Sequence, residues 1–298
     1  NFDNRGGKLL VLGGADQSIV LDVDQFDNRD GGLLEINGGN NTLSANISNY
    51  KGRIVNLSEG VLAFFGLNNQ NGVVLSTGSL HFTQDVLNNH NGVLQTAANI
   101  TANIEDLDNR LGTFQAGQFL DVQARLVDNS LGGTLISGEG FRLSALDKIL
   151  NTGGHIESLA NNMELNTALL TNQKGVIAHD GSGKLLLNIQ GDLNNNGGKI
   201  STKGQLALEA DRISNNKLDD RAASIFAANL SISAQELTNV GGHIQATEKL
   251  HFTLPHLDNQ GGFILSAGTG SNALIFDVGS IDNRAGTLEI HGDQSSFH

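Results

Sequence analysis

Cysteine and tryptophan are absent from this 298-residue chain, and it has one proline and one methionine. Without cysteine there is no disulfide framework and no thiolate metal site. Only 16% of the residues are charged, against roughly a quarter in ordinary globular chains. Basic residues are the scarcer sign: 18 Lys and Arg stand against 31 Asp and Glu, for a formal net charge of −13. That excludes nucleic acid or heparin as the main partner, because affinity for phosphate or sulfate backbones is supplied by Lys and Arg. No apolar run approaches ~18 residues, so no helical membrane insertion is expected.

What the chain has instead is 38 Gly and 35 Asn. Taken alone these suggest a flexible chain, but 38% apolar residues in a regular pattern speak against disorder. The Asn residues fall in frame. An apolar residue, any residue, then Asn recurs fourteen times, ending on Asn4, Asn28, Asn49, Asn69, Asn89, Asn109, Asn129, Asn151, Asn172, Asn195, Asn215, Asn239, Asn259 and Asn283. The steps between them are 20 to 24 residues. Gly follows three places later in thirteen copies, Gly31 and Gly132 among them, and Leu218 is the exception. An aliphatic residue or Phe returns shortly after, as at Ile54, Val74, Phe114 and Ile244.

Within a copy the apolar period is two, as in Leu80/Phe82, Leu120/Val122 and Leu206/Leu208. That is a strand with one buried face. A unit of this size cannot bury its own apolar face, whereas stacked copies can. The expected fold is therefore all-β: a right-handed parallel β-helix of about fourteen coils, running as one rod through residues 1–298. At a strand spacing of ~4.8 Å its length is on the order of 65 Å. The Asn and Gly read as corner residues. Asn tolerates the left-handed region and bonds its own backbone. Gly supplies a positive φ or lets the chain pass closely. Stacked at one corner, the Asn side chains would form an amide ladder; the competing reading is that they bind ligand.

Phe2-Asp3-Asn4-Arg5-Gly6-Gly7-Lys8-Leu9, Leu257-Asp258-Asn259-Gln260-Gly261-Gly262-Phe263-Ile264 and Ile281-Asp282-Asn283-Arg284-Ala285-Gly286-Thr287-Leu288 share one pattern. It resembles the filamentous haemagglutinin repeats of large bacterial exoproteins of two-partner secretion systems, over essentially the whole chain. These are haemagglutinin-type adhesins and contact-dependent growth inhibition toxins of the CdiA type. The resemblance implies a right-handed parallel β-helix in a secreted filament at a Gram-negative cell surface. It also implies an outer-membrane transporter as partner during export and a receptor on a neighbouring or host cell. In such proteins the filament binds host cells, or presents a receptor-binding region and delivers a C-terminal toxin. Neither a toxin domain nor an amino-terminal secretion domain is visible, nor an initiator Met or signal peptide. The chain starts on a repeat and stops inside one, which reads as a stretch of a longer filament. Zero Cys fits export to an oxidising exterior. The expected role is a structural segment that extends and presents a tip, with no enzymatic activity and no cofactor. The alternatives are an adhesin segment that itself binds a receptor or glycan, and a polysaccharide-active β-helix enzyme.

Local function is expected where the repeat breaks. Extra residues cluster nine to thirteen places after the Asn, at Gly13–Gln17, Gly38–Asn41, Asp180–Gly183 and Gly268–Ser271, and Gly292–Ser295 begins the same way. Insertions at one frame position project from one edge, often the binding edge; the plainer reading is small turns without ligand. Asn216–Ala222 gains about four residues at the Asn corner. Its Lys217, Asp219, Asp220 and Arg221 are candidate partner-binding residues, against the reading of a solvated loop. Phe64 and Phe65 are candidates too: adjacent strand residues face opposite sides, unless an edge turn buries both. For catalysis, the Asp residues beside the Asn frame would pair in adjacent coils as Asp108–Asp128 and Asp258–Asp282, close enough to shift each other's pKa. The turn reading of these Asp competes. His155 and His243 are expected to face solvent, and no His pair has metal-ligand spacing.

Overall fold

The computed structural model describes residues 1–14, 17–292 and 294–297, with residues 271–272 and 294–297 described by backbone alone. Among them there is no helix. Short strands pair in parallel with strands about 20 residues away, as Val93–Thr96 does with Thr113–Ala116. The chain is an all-β parallel β-helix, and its coils group into two compact units, Asn1–Leu146 and Asp147–His298.

One regular coil shows how the sequence makes the shape. After Asn69 the chain turns and enters the strand Val73–Ser76. It turns again and enters Leu80–Asn88. Phe82 and Leu87 both face inward and are fully buried. They are five residues apart, and a straight strand would put them on opposite faces. The long strand must therefore bend between them. Each coil thus has three straight sides and three corners: the Asn corner, a second corner after the short strand, and a third corner within the long one.

Register keeps like on like. In the first unit Val74, Leu94, Phe114 and Leu135 stack on one side, all fully buried. Leu62, Leu80, Ile100 and Leu120 stack on the next. Phe64 and Phe82 stack in the core, ring centroids 5.1 Å apart and planes nearly parallel. In the second unit Ile156, Ile177 and Ile200 stack in the same way, as do Leu230, Leu250 and Leu274. Burying one such side chain contributes about 1.5–3 kcal/mol. A coil obtains that only while its neighbours cover it.

Candidate functional site

The Asn corner is built by hydrogen bonding from coil to coil. In the first unit each amide nitrogen donates to the next amide oxygen: Asn4 to Asn28, Asn28 to Asn49, Asn49 to Asn69, Asn69 to Asn89, Asn89 to Asn109 and Asn109 to Asn129, at 2.7–2.8 Å. In the second unit the row runs from Asn151 through Asn172, Asn195, Asn215, Asn239 and Asn259 to Asn283, at 2.6–2.7 Å. The same nitrogen also reaches a backbone carbonyl of the next coil, such as Asn89 Nδ2 to Thr113 O at 3.0 Å. A carbonyl only accepts, so this contact fixes which way the amide faces. Asn28, Asn49 and Asn89 are fully buried. The interior ladder residues, Asn28 through Asn259, are buried and committed to each other and to backbone.

The division of labour at this corner differs from the sequence expectation. No ladder Asn has a positive φ. The positive φ falls two residues later, on Lys51, Asn71, Asn91, Leu111, Lys174 and others. The frame Gly bonds back to the ladder carbonyl, as Gly92 N does to Asn89 O at 2.9 Å. A positive φ at the third of four residues is the mark of a type II turn. Glycine is required for a different reason. A Cβ at Gly92 would stand 2.5 Å from Asn89 Oδ1 and press into the Asn69 carbonyl of the preceding coil. The two copies with one extra residue follow this rule. The glycines packed against the ladder are Gly32 and Gly133, whereas Gly31 and Gly132 carry a positive φ in open space. The frame position near Leu218 is filled by Ala223, whose neighbour Ser224 pairs with His243.

The second corner holds a mixed row that the sequence expectation missed: Asn56, Ser76, Thr96, Ala116 and Ser137 are in register. Their polar atoms bond partly within their own turn, as Ser76 Oγ does to Gly78 O, and partly to the adjoining coil, as Asn56 Nδ2 does to Ser76 Oγ and Thr96 Oγ1 to Gly78 O. In the second unit His179, almost fully buried, stands in this row. Its Nε2 faces Asn161 O at 2.6 Å and its Nδ1 faces Thr202 Oγ1 at 2.8 Å. The carbonyl makes Nε2 the donor and leaves Nδ1 to accept. The expected insertions do fall at this corner. Gly13, Gly38 and Gly39, with Leu57–Gly60, line an open hollow of about 680 Å³. Ser182, Gly183, Lys203, Gly204 and Glu248 help line another of about 500 Å³. Ala15 and Asp16 of the first insertion, and Asp293 of the last, lie outside the described residues.

At the third corner two coils of the first unit are cut short. The inward Leu87 lies seven places after Leu80, but Leu67 lies only five after Leu62 and Ile47 six after Asn41. Gly66 permits the cut, because a Cβ there would lie 2.9 Å from Ala45 O. The coil above has no backbone near enough to pair, and the Gln84 side chain takes its place. Its Oε1 accepts from Leu67 N at 2.8 Å and its Nε2 donates to Leu67 O at 3.0 Å. The result is an open groove of about 770 Å³. Phe65 lines it and is half exposed. Phe64 does not: it is fully buried on Phe82, which removes it as a partner-binding residue. The strand alternation separates the two rings.

The 216–222 insertion is a small pinned turn rather than a free loop. Leu218 and Arg221 exchange backbone hydrogen bonds at 2.9 and 3.0 Å. Asp219 bonds Lys174 Nζ at 2.7 Å, and Arg221 donates to Lys174 O at 3.0 Å. Lys217, Asp219, Asp220 and Arg221 are all exposed, with Asp219 and Arg221 engaged on Lys174.

The Asp residues beside the ladder are turn residues. Asp108 accepts from the backbone N–H of Arg110 at 3.1 Å and pairs with its guanidinium at 2.7 Å. Asp3, Asp27 and Asp282 do the same with Arg5, Arg29 and Arg284. Register adds a third adjacent pair, Asp3–Asp27, to Asp108–Asp128 and Asp258–Asp282. The expected mutual repulsion is reversed by interposed Arg: Arg5 bridges Asp3 and Asp27, and Arg110 bridges Asp108 and Asp128. The hydrogen bond from Arg5 holds the Asp3 carboxyl down at about 2. Burial pushes Asp108 up, but its bonds with Arg110 outweigh it and the net shift is downward. Asp3, Asp27, Asp108 and Asp282 are all shifted downward, away from the raised pKa that a general acid uses. Among the described residues no three His, Cys, Asp or Glu side chains converge to hold a metal. His243 is exposed, and the partly exposed His155 bonds Glu157 at 2.9 Å.

Compared with known proteins, the chain matches no family model, no curated protein and no solved structure.

Proposed function

We propose that this chain is a stretch of a structural filament of a secreted bacterial surface exoprotein, exported with an outer-membrane transporter, that carries a receptor-binding or toxin-delivering tip toward another cell. The observation that supports this reading is the use of one coil design throughout, with its polar corner consumed internally. A stack of interchangeable coils adds reach by about one strand spacing per coil, and its stability rests on nearest neighbours. The pattern shared with haemagglutinin repeats supports the same reading. Its test is in-frame removal of whole coils, such as residues 69–88, from the exoprotein on its own cells. Contact with target cells should decline in step with the number of coils removed, whichever coils they are. Complete loss on removing one particular coil, with the others dispensable, would overturn the extending role.

A second reading has its own observation. If the segment itself adheres, the groove beside Phe65 is where the surface departs most from the repeat. Its test is binding of the isolated protein to cells.

A further inference from the structure

The third-corner groove of the first unit has the size of a small-ligand site, for which about 300–1,000 Å³ is usual. We propose that it binds a neutral oligosaccharide. The proposal rests on the adhesion reading and is independent of the extending role.

The lining chemistry carries it. Phe65, half exposed, offers an apolar ring of the kind on which the C–H face of a sugar packs. Exposed Val86 adds apolar surface beside it. Around them stand Gln25, Asn46 and Asn103, all exposed. A primary amide ends in both donors and acceptors, which matches hydroxyl groups that themselves donate and accept. Asp85 and Glu105 add carboxylates that accept from hydroxyls. No Lys or Arg lines the groove, so a sulfated or sialylated chain would meet like charge without a counter-charge.

The backbone argues against an extended peptide. Adding a strand to a sheet edge needs unpaired main-chain groups. Here Leu67 N and O are taken by Gln84, and Ile47 N donates to Gly66 O at 2.8 Å. Recognition is left to side chains. An open groove that holds a few sugar units by side chains alone gives weak binding, which many copies on one cell surface would multiply.

The test uses the 298-residue protein on an array of neutral gluco-, galacto-, manno- and N-acetylglucosamine oligosaccharides, with sulfated and sialylated glycans and basic peptides alongside. Hits are titrated calorimetrically with wild type, Phe65→Ala, Asn103→Ala and Phe119→Ala, each checked for an unchanged melting curve. Phe119 is a partly exposed ring elsewhere in the same unit. Saturable binding of a neutral oligosaccharide is expected, weakened at least tenfold by Phe65→Ala, several-fold by Asn103→Ala, and unchanged by Phe119→Ala. Binding that survives Phe65→Ala would place the site elsewhere and sink the groove, while leaving adhesion standing. A preference for anionic glycans, or Phe65-dependent capture of basic peptides alone, would overturn the ligand class. Cell adhesion without any glycan binding would do the same. Loss of both glycan and cell binding would overturn the adhesion reading as well.

Discussion

The Asn corner and the second corner both turn polar side chains inward, yet they differ in what they allow. From the ladder Asn to the inward residue of the second corner is seven residues in most coils, as from Asn69 to Ser76 or Asn259 to Ser266. From that residue to the next strand varies from three, Ala227 to Leu230, to eight, Ser266 to Leu274. An amide carries a donor and an acceptor, so one Asn bonds its neighbour below and its neighbour above. The second corner has no such continuous row: Ser76 bonds Gly78 O in its own turn at 2.6 Å, whereas Thr96 reaches Gly78 O of the preceding coil. A corner joined by one unbroken row of identical amides holds its length; a corner of mixed residues, bonded case by case, is free to grow.

The sharpest way to break this contrast is Asn89→Leu. It deletes the bonds to Asn109 Oδ1 and Thr113 O, and it takes one of its acceptors from the Asn69 amide nitrogen, which keeps Val93 O at 3.1 Å. Each buried polar group left unpaired costs about 1–3 kcal/mol, so a loss of about 4 kcal/mol is expected in urea unfolding. Gly92→Ala should cost about 3 kcal/mol, because its Cβ meets backbone of the preceding coil that cannot step aside. The comparison position is Gly153, where φ is +65° and the space is open. There Ala should cost about 1 kcal/mol, the strain of a left-handed residue alone. If both substitutions cost the same, close approach is not what selects the frame glycine. Thr96→Val at the second corner removes its bonds to Gly78 O and Ala98 N. About 1 kcal/mol is expected, well below Asn89→Leu; equal costs would erase the difference between the two corners.

The smallest effect is electrostatic. Asp108 in the folded chain titrates below its unfolded value of about 4. Its contribution is therefore full above that value and fades as pH falls through the lowered one. Asp108→Asn should lower stability slightly at neutral pH and change little at or below pH 3, which flattens the acid limb of the stability curve. Hydrogen exchange at pH 3 and pH 7 would show it.

Much of this was open to reading in the sequence, and the gaps have physical causes. The ladder was legible because all fourteen positions carry the same residue. Gly31 and Gly132 misled because two adjacent glycines serve different needs, one conformational and one steric, and spacing alone does not tell them apart. The groove stayed hidden behind arithmetic. From Asn56 to Leu62 the coil gains two residues over its neighbour, and from Leu62 to Leu67 it loses two, so the step from Asn49 to Asn69 is still 20. A constant period conceals compensating changes at two corners. The doubled Phe64-Phe65 was the surface trace of that exchange, and strand alternation then sent one ring to the core and one to the groove.

The direction of the amide row has a further meaning. From Asn4 through Asn109 in the first unit and from Asn151 through Asn259 in the second, each ladder nitrogen points toward the coil that follows it in the chain. A completed coil therefore holds its donors in place before its successor arrives, and the incoming segment has only to offer an Asn oxygen and a carbonyl. Growth from the N-terminal side meets a template; growth from the C-terminal side meets acceptors that many other donors can fill. The row gives each unit a grain that runs from its first coil toward its last.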